Sequence, residues 1–260
     1  MAYTKRDLTG FLTEMGITPA DRLLVHSSMK SIGEVEGRAD TVIDTFMDYF
    51  ADRGLFMMPT HTWGTVKNGE LYDYETSPGC VGILPELFRK RPGVIRSLHP
   101  SHSIAAWGRE AAAYVEGEEN SPAPCPPDGC WGRLRTSGAK ILLLGVGHGR
   151  NTYIHSVEES LGLPDRLSEP VPIRIRLRDG SVKEHMIRRH RCSKTGDVSA
   201  SYPKLGDAFA YYGAAKAVKF GDADCLLCDP VKLYEVAARV FTREPDAILD
   251  RDAIPEEYWK

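Results

Sequence analysis

Short apolar runs alternate with helix-spaced apolar stretches over the first 160 or so residues, and this alternation limits the possible folds more than any other feature. Residues 23–25, 55–58, 104–107 and 141–146 are runs of buried-strand type. Between them, Leu8, Phe11, Leu12 and Met15 predict a first helix stopped by Gly16. Val42, Ile43, Phe46, Met47, Tyr49 and Phe50 predict a second helix with a wide apolar stripe. Val81, Leu84 and Phe88 mark a third helix, ended by Pro92-Gly93, and residues 111–115 a short fourth. A further helix is expected over residues 152–161. Strands alternating with helices predict an α/β sheet. Beyond residue 170 the rhythm changes. Val171, Ile173, Ile175 and Leu177 alternate with Pro172 and three arginines, Asp179-Gly180 is a hairpin signal, and residues 181–188 return as the partner strand. Helical stretches are expected near residues 208–218 and 230–241. The expectation is one α/β/α sandwich-like domain over residues 1–260, with a central mixed sheet and an antiparallel hairpin appendage.

A chain of 260 residues can bury a large core, since folding at this size hides roughly 75% of the unfolded surface. Lys and Arg number 33 against 36 Asp and Glu, a net charge of −3, so nucleic acid is not expected as the main partner. Six cysteines in this length do not suggest a disulfide scaffold. The N-terminus carries no apolar signal core and no run is long enough to span a bilayer, so a soluble, cytoplasmic protein without a membrane partner is expected.

Four loops at predicted strand ends concentrate hydroxyl, imidazole and cationic side chains: residues 26–31, 59–63, 96–103 and 145–155. In open α/β sheets ligands gather at the carboxyl ends of strands. Ser27-Ser28-Met29-Lys30-Ser31-Ile32-Gly33 can offer backbone amides to phosphate, or can simply cap a helix; it lacks Walker A spacing. Gly145-Val146-Gly147-His148-Gly149 is not a dinucleotide fingerprint, because its third glycine falls one residue early. His155 lies three and four residues before Glu158 and Glu159, on one helix face. A carboxylate on one ring nitrogen raises the basicity of the other, the layout of a general base, although a surface ion pair has the same spacing. Arg96-Ser97-Leu98-His99-Pro100-Ser101-His102-Ser103 reads equally as a reactive cluster or a satisfied loop network. No Gly-x-Ser-x-Gly elbow occurs. Cys225-Leu226-Leu227-Cys228 with His190 and Cys192 has some of the spacing of a zinc site, but Leu226 and Leu227 look like helix core and ordinary buried cysteines are favoured. No bound metal is expected.

Five segments in order resemble a known family: Val25-His26-Ser27-Ser28-Met29-Lys30-Ser31-Ile32-Gly33, Met57-Met58-Pro59-Thr60, the 96–103 loop, Leu142-Leu143-Leu144-Gly145-Val146-Gly147, and Asn151-Thr152-Tyr153-Ile154-His155-Ser156-Val157-Glu158. This series resembles the aminoglycoside 3-N-acetyltransferases. The resemblance implies transfer of an acetyl group from acetyl-CoA to an amine, the 3-amino group of an aminoglycoside antibiotic, with His155 as base and Glu158 as its partner. It implies CoA binding by Ser27, Ser28, Lys30 and Ser31, with Thr60, Arg96 and Ser103 lining the same cleft and Lys30 and Arg96 facing phosphates. Asp73, Glu75, Asn151 and Glu159 are candidate acceptor-binding residues, and carboxylates of the Glu116-Gly117-Glu118-Glu119 run are candidates to hold ammonium groups. The partners expected are therefore two small molecules, and a homodimer is compatible with the resemblance. Where the family commonly carries Ser-Pro, this chain reads Asp128-Gly129-Cys130-Trp131-Gly132-Arg133-Leu134, which leaves the acceptor open. Another amine acceptor, or a CoA-binding or zinc-stabilised protein without turnover, are the competing readings.

Overall fold

Alternate residues of the central strands go to opposite faces of one sheet, and each face is covered by its own helices. The computed structural model describes residues 2–51 and 53–260. In chain order the elements are α1 (Lys5–Glu14), β1 (Arg22–Ser27), α2 (Arg38–Phe50), β2 (Leu55–Pro59), β3 (Leu71–Tyr72), α3 (Ile83–Phe88), β4 (Ile95–Arg96) and β5 (Ile104–Gly108). Then follow α4 (Ala111–Tyr114), α5 (Cys130–Thr136), β6 (Lys140–Leu144), α6 (Tyr153–Ser160), β7 (Val171–Arg176) and β8 (Val182–Ile187). The chain closes with α7 (Gly206–Tyr211), β9 (Ala215–Phe220), β10 (Ala223–Cys228), α8 (Pro230–Arg243) and α9 (Ala247–Asp250).

The large sheet has the order β4-β5-β2-β1-β6-β10-β9. β1 pairs in parallel with β2 and β6, and the remaining pairs are antiparallel, so the sheet is mixed. On one face Leu24, Leu55, Met57, Ile141 and Leu143 pack with Trp131 of α5, Ile154 of α6 and Leu233 and Val240 of α8. On the other, Leu23, Val25, Phe56, Met58, Leu142 and Leu144 pack with Leu8 and Leu12 of α1, Phe46 and Phe50 of α2, and Phe88 of α3. Period-2 alternation in strands and period-3.6 stripes in helices together produce the three layers. The α/β class, the mixed sheet and the hairpin are as expected from the sequence. The β7–β8 hairpin adds β3 in parallel to form a second, three-stranded sheet, with Tyr72, Ile173, Ile175 and Ile187 as its small core.

Two local expectations are corrected. The stretch expected as helix over residues 208–218 ends its helix at Tyr211, and Ala215–Phe220 is strand β9. Its partner β10 contains Leu226 and Leu227, which are strand residues and not helix core. Cys225 and Cys228 are three apart in that strand, so they point to opposite faces and join different core clusters. They do not converge on one ion. No helix among the described residues is long and apolar enough to cross a membrane.

Candidate active site

The parallel strands β1, β2 and β6 all end at the same edge of the sheet, and a cleft of about 620 Å³ opens there. That volume suits a small-molecule site. All four polar segments contribute to it: His26 and Ser27 at the end of β1, His61 and Trp63 after β2, Ser101 and His102 before β5, and Arg150, Asn151 and His155 after β6. Arg189, His190 and Asp197, beyond the hairpin, complete the wall.

His155 sits on α6 with its Nδ1 2.6 Å from the Tyr202 hydroxyl and 3.2 Å from Glu158 Oε2. Tyr202 donates to the same carboxylate oxygen at 2.5 Å. With the single tyrosine proton used on Glu158, Nδ1 carries its own proton and donates toward the phenol oxygen, which leaves the Nε2 lone pair free. Glu158 Oε1 accepts from Arg166 Nε at 2.9 Å, and Arg166 Nη2 donates to Asp246 Oδ1 at 2.8 Å. Glu158, Arg166 and Tyr202 are all at most 2% exposed. Burial pushes the Tyr202 phenol well above its usual range, and the Glu158 charge beside it adds to the effect, so it remains a donor.

Imidazoles dominate the rest of the wall. His190 stacks on His155 with ring centroids 3.7 Å apart, His102 meets His190 edge-on at 4.8 Å, and His61 lies 4.5 Å from His102. Burial drives His61, His102 and His190 well below the usual histidine range, and neighbouring rings push in the same direction. Burial alone takes His26 down to about 3. These rings are neutral at physiological pH. His26 Nε2, Ser27 Oγ, His61 Nε2 and Asn151 Oδ1 are buried polar atoms without a partner among the described residues, and all belong to cleft-lining residues. Native interiors leave few such atoms, so their concentration here points to a bound polar ligand.

The chain's family follows from matching its sequence to known proteins. The family described as aminoglycoside 3-N-acetyltransferase matches residues 24–242, most of the chain and every element that builds the cleft. The chain belongs to this family. The aminoglycoside N(3)-acetyltransferase VII of Streptomyces paromomycinus is 31% identical over 63% of this chain and 62% of its own length. The chain thus spans about three fifths of that curated relative. The prophage-derived aminoglycoside N(3')-acetyltransferase-like protein YokD of Bacillus subtilis (strain 168) is 26% identical over 92% of both chains. Among solved structures, a histidine-to-alanine mutant of the aminoglycoside acetyltransferase AAC(3)-IVa in complex with a gentamicin superposes with a TM-score of 0.80. It is 25% identical and covers 100% of this chain and 95% of that one.

Of the residues that the family resemblance assigned, His155, Asn151 and Ser27 line the cleft, and Glu158 stands behind His155. Ser28 and Ser31 bond to one another at 2.9 Å in the turn below, and Lys30 is exposed outside the cleft wall. Thr60, Arg96 and Ser103 stand behind the wall and not along it. Arg96 Nε donates to Thr60 Oγ1 and Ser103 Oγ, Nη2 to the Thr60 carbonyl, and Nη1 to those of Ser77 and Tyr74. At 3% exposure its charge is used inside the protein and does not face a phosphate. Asp73 accepts from Arg176 and from the amides of Glu75 and Thr76, and neither Asp73 nor the exposed Glu75 borders the cleft. Glu118 is 2% exposed and accepts from the Cys130 amide at 2.8 Å at the start of α5, so it is not free to hold an ammonium group. Glu159 does not line the cleft, and its Oε1 bonds the wall residue His190 and the Cys125 amide.

Sequence reasoning missed Tyr202, Arg166, Arg150, Arg189 and Asp197. Tyr202 comes from a 3-10 segment (Val198–Leu205) that has no motif of its own. Arg166 follows Pro164-Asp165 in a loop, where an arginine ordinarily reads as surface charge.

Proposed function

We propose that the chain transfers the acetyl group of acetyl-CoA to an amine of an aminoglycoside, the 3-amino group by family, with His155 as the general base. The observation that carries this reading is the buried Arg166–Glu158–Tyr202 series that holds the cleft-lining His155 ring through its Nδ1. A protonated amine has no lone pair to attack a thioester. Its attack requires a base near neutral pH, which an imidazole oriented through Nδ1 supplies.

In the proposed reaction the ammonium first loses one proton to solvent, and the free amine then attacks the thioester carbon while Nε2 of His155 takes a second proton from the nitrogen. The C–S bond then breaks and CoA leaves as the thiol, receiving a proton from the imidazolium. Glu158 balances the imidazolium charge, and Arg166 holds Glu158 so that the carboxylate does not rotate away. The unpartnered Ser27 hydroxyl is a candidate donor to the developing oxyanion. Arg150 and Arg189 are the cleft cations suited to the CoA phosphates. No acyl-enzyme is required.

Release of thiol from acetyl-CoA against a panel of aminoglycosides and simple amines tests the proposal. Wild-type protein should release thiol with an aminoglycoside, and His155→Ala should lower turnover by about 10²–10⁴-fold. Near wild-type turnover in that variant would remove His155 as base. One observation favours a second acceptor class: among the described cleft-lining residues Asp197 is the one carboxylate, beside Arg150 and Arg189. Release with simple amines and none with aminoglycosides would select that reading.

A further inference from the structure

We infer that Cys125, Glu159 and His190 form a binding site for one zinc-type divalent ion beside His155. The three residues come from separate parts of the fold, the proline-rich loop before α5, helix α6 and the segment after β8. One ligand-capable atom from each lies within 4.8 Å of the others. The site is built, with Cys125 fully buried and Glu159 and His190 partly so. Glu159 has a side chain 4% exposed, and its Oε1 accepts from the Cys125 amide at 2.9 Å and lies 2.9 Å from His190 Nε2.

Protein groups do not satisfy the Glu159 carboxyl, and a thiol free to ligate lies beside it. Glu159 Oε2 is buried with no hydrogen-bond partner, and among the described residues no Lys or Arg pairs with this carboxyl group. The Cys125 thiol is fully buried and has no hydrogen-bond partner among the described residues. An orphaned buried carboxyl oxygen costs about 1–3 kcal/mol, a penalty that a cation would remove. Sulfur, imidazole nitrogen and carboxylate oxygen together are a zinc donor set, whereas magnesium and calcium select oxygen alone.

Zinc–ligand bonds of about 2.0–2.3 Å place tetrahedral ligand atoms roughly 3.3–3.8 Å apart, so side-chain rotations of modest size close the site. On binding, Cys125 gives up its thiol proton and the ion replaces the proton between Nε2 and the carboxylate. Both protons leave to solvent, and water fills the fourth position. The ion would lock His190 in its stack against His155. This inference stands apart from the acetyl-transfer reading and is tested without it.

The full chain is stripped with a chelator and dialysed against zinc chloride, and bound metal is counted by elemental analysis. We expect one zinc per chain, with affinity lowered ~100-fold or more in Cys125→Ser and in Glu159→Gln and unchanged in Cys225→Ser. Cobalt substitution should add a thiolate-to-metal absorption band that Cys125→Ser lacks. Absence of retained zinc would overturn the site. Equal retention by all variants, placing the ion elsewhere, would do the same. If the variants do not fold, a cobalt-loaded wild-type protein without the thiolate band overturns it alone.

Discussion

The Tyr202 hydroxyl lies 2.6 Å from His155 Nδ1, although 47 residues separate the two in the chain. It fills the corner between the imidazole and Glu158, which are themselves 3.2 Å apart. Tyr202→Phe therefore removes two contacts to charged or charging groups and leaves a hole the size of one oxygen. One such bond is worth about 1.5–3 kcal/mol, and if only the bond to the imidazole is made more strongly in the transition state, turnover with acetyl-CoA should fall about 10–100-fold. Steady-state kinetics across pH would test this. The loss should appear in kcat with a displaced acid limb, and a variant that changed only KM would place Tyr202 outside the base assembly.

Arg166 and Glu158 form an ion pair with side chains 2% and 1% exposed. A buried pair adds little over a well-packed apolar replacement, but removing one partner strands the other. Arg166→Met should lower stability by about 3–5 kcal/mol, whereas Glu158→Gln, which keeps a hydrogen-bonding group, should cost less. Urea denaturation of both proteins checks the order. A smaller loss for Arg166→Met than for Glu158→Gln would contradict it.

Acid should destabilise the fold well before its carboxylates titrate. Burial lowers His26 to about 3, and His99 and His148 each to about 4. The unfolded chain binds these protons near pH 6.5 and the folded chain does not. The stability they confer is complete above pH 6.5 and is lost as pH falls toward about 4. Glu118 works in the opposite sense. Burial raises it to about 7, so its contribution is present below the usual carboxyl range and fades as pH rises through 7. Six buried imidazoles, His26, His61, His99, His102, His148 and His190, outweigh the two carboxyls that burial raises, Glu118 and Glu159, and the melting temperature should drop steadily from pH 6.5 to 4. Glu118→Gln should steepen the decline between pH 6.5 and about 4.5, because the opposing carboxyl contribution is gone, and leave the slope below that range unchanged. A melting temperature constant between pH 6.5 and 4 would contradict the neutral, buried state of these rings.

The three-layer fold was legible because Leu23, Leu24 and Val25, like residues 141–144, carry apolar side chains to both faces, a pattern that only a doubly covered strand sustains. Strand β9 was not. Ala215, Lys216, Ala217 and Lys219 favour a helix, and their strand conformation comes from pairing with β10, a tertiary effect. The same division holds at the site. His155 and Glu158 are three apart on one helix and could be paired from spacing. Tyr202, His190 and Arg166 reach them only through the folding of separate segments. Arg96 misled for a related reason. The family resemblance implied a cation facing phosphate, the loop alone read equally as a satisfied network, and nothing in the sequence marks the carbonyls of Thr60, Tyr74 and Ser77 that bind it inside.

The segment in which this chain departs from the family pattern makes a sharp steric prediction. In α5, a Cβ added to Gly132 would sit 2.1 Å from the Pro127 carbonyl oxygen and 2.4 Å from its carbon. Backbone cannot rotate away as a side-chain tip can, so the proline-rich loop must shift. Gly132→Ala should destabilise the protein by about 1–3 kcal/mol, despite the higher helix propensity of alanine. Gly10 in α1 provides the control. Nothing lies within 4 Å of its Cβ position, so Gly10→Ala should gain about 0.5–1 kcal/mol from the same propensity difference. Denaturant midpoints of the two variants should move in opposite directions. Gly132→Ala should also weaken activity, because the loop it displaces carries Cys125, whose amide holds Glu159 against His190. Equal stabilisation by both substitutions would show that α5 tolerates a methyl group where the loop now lies.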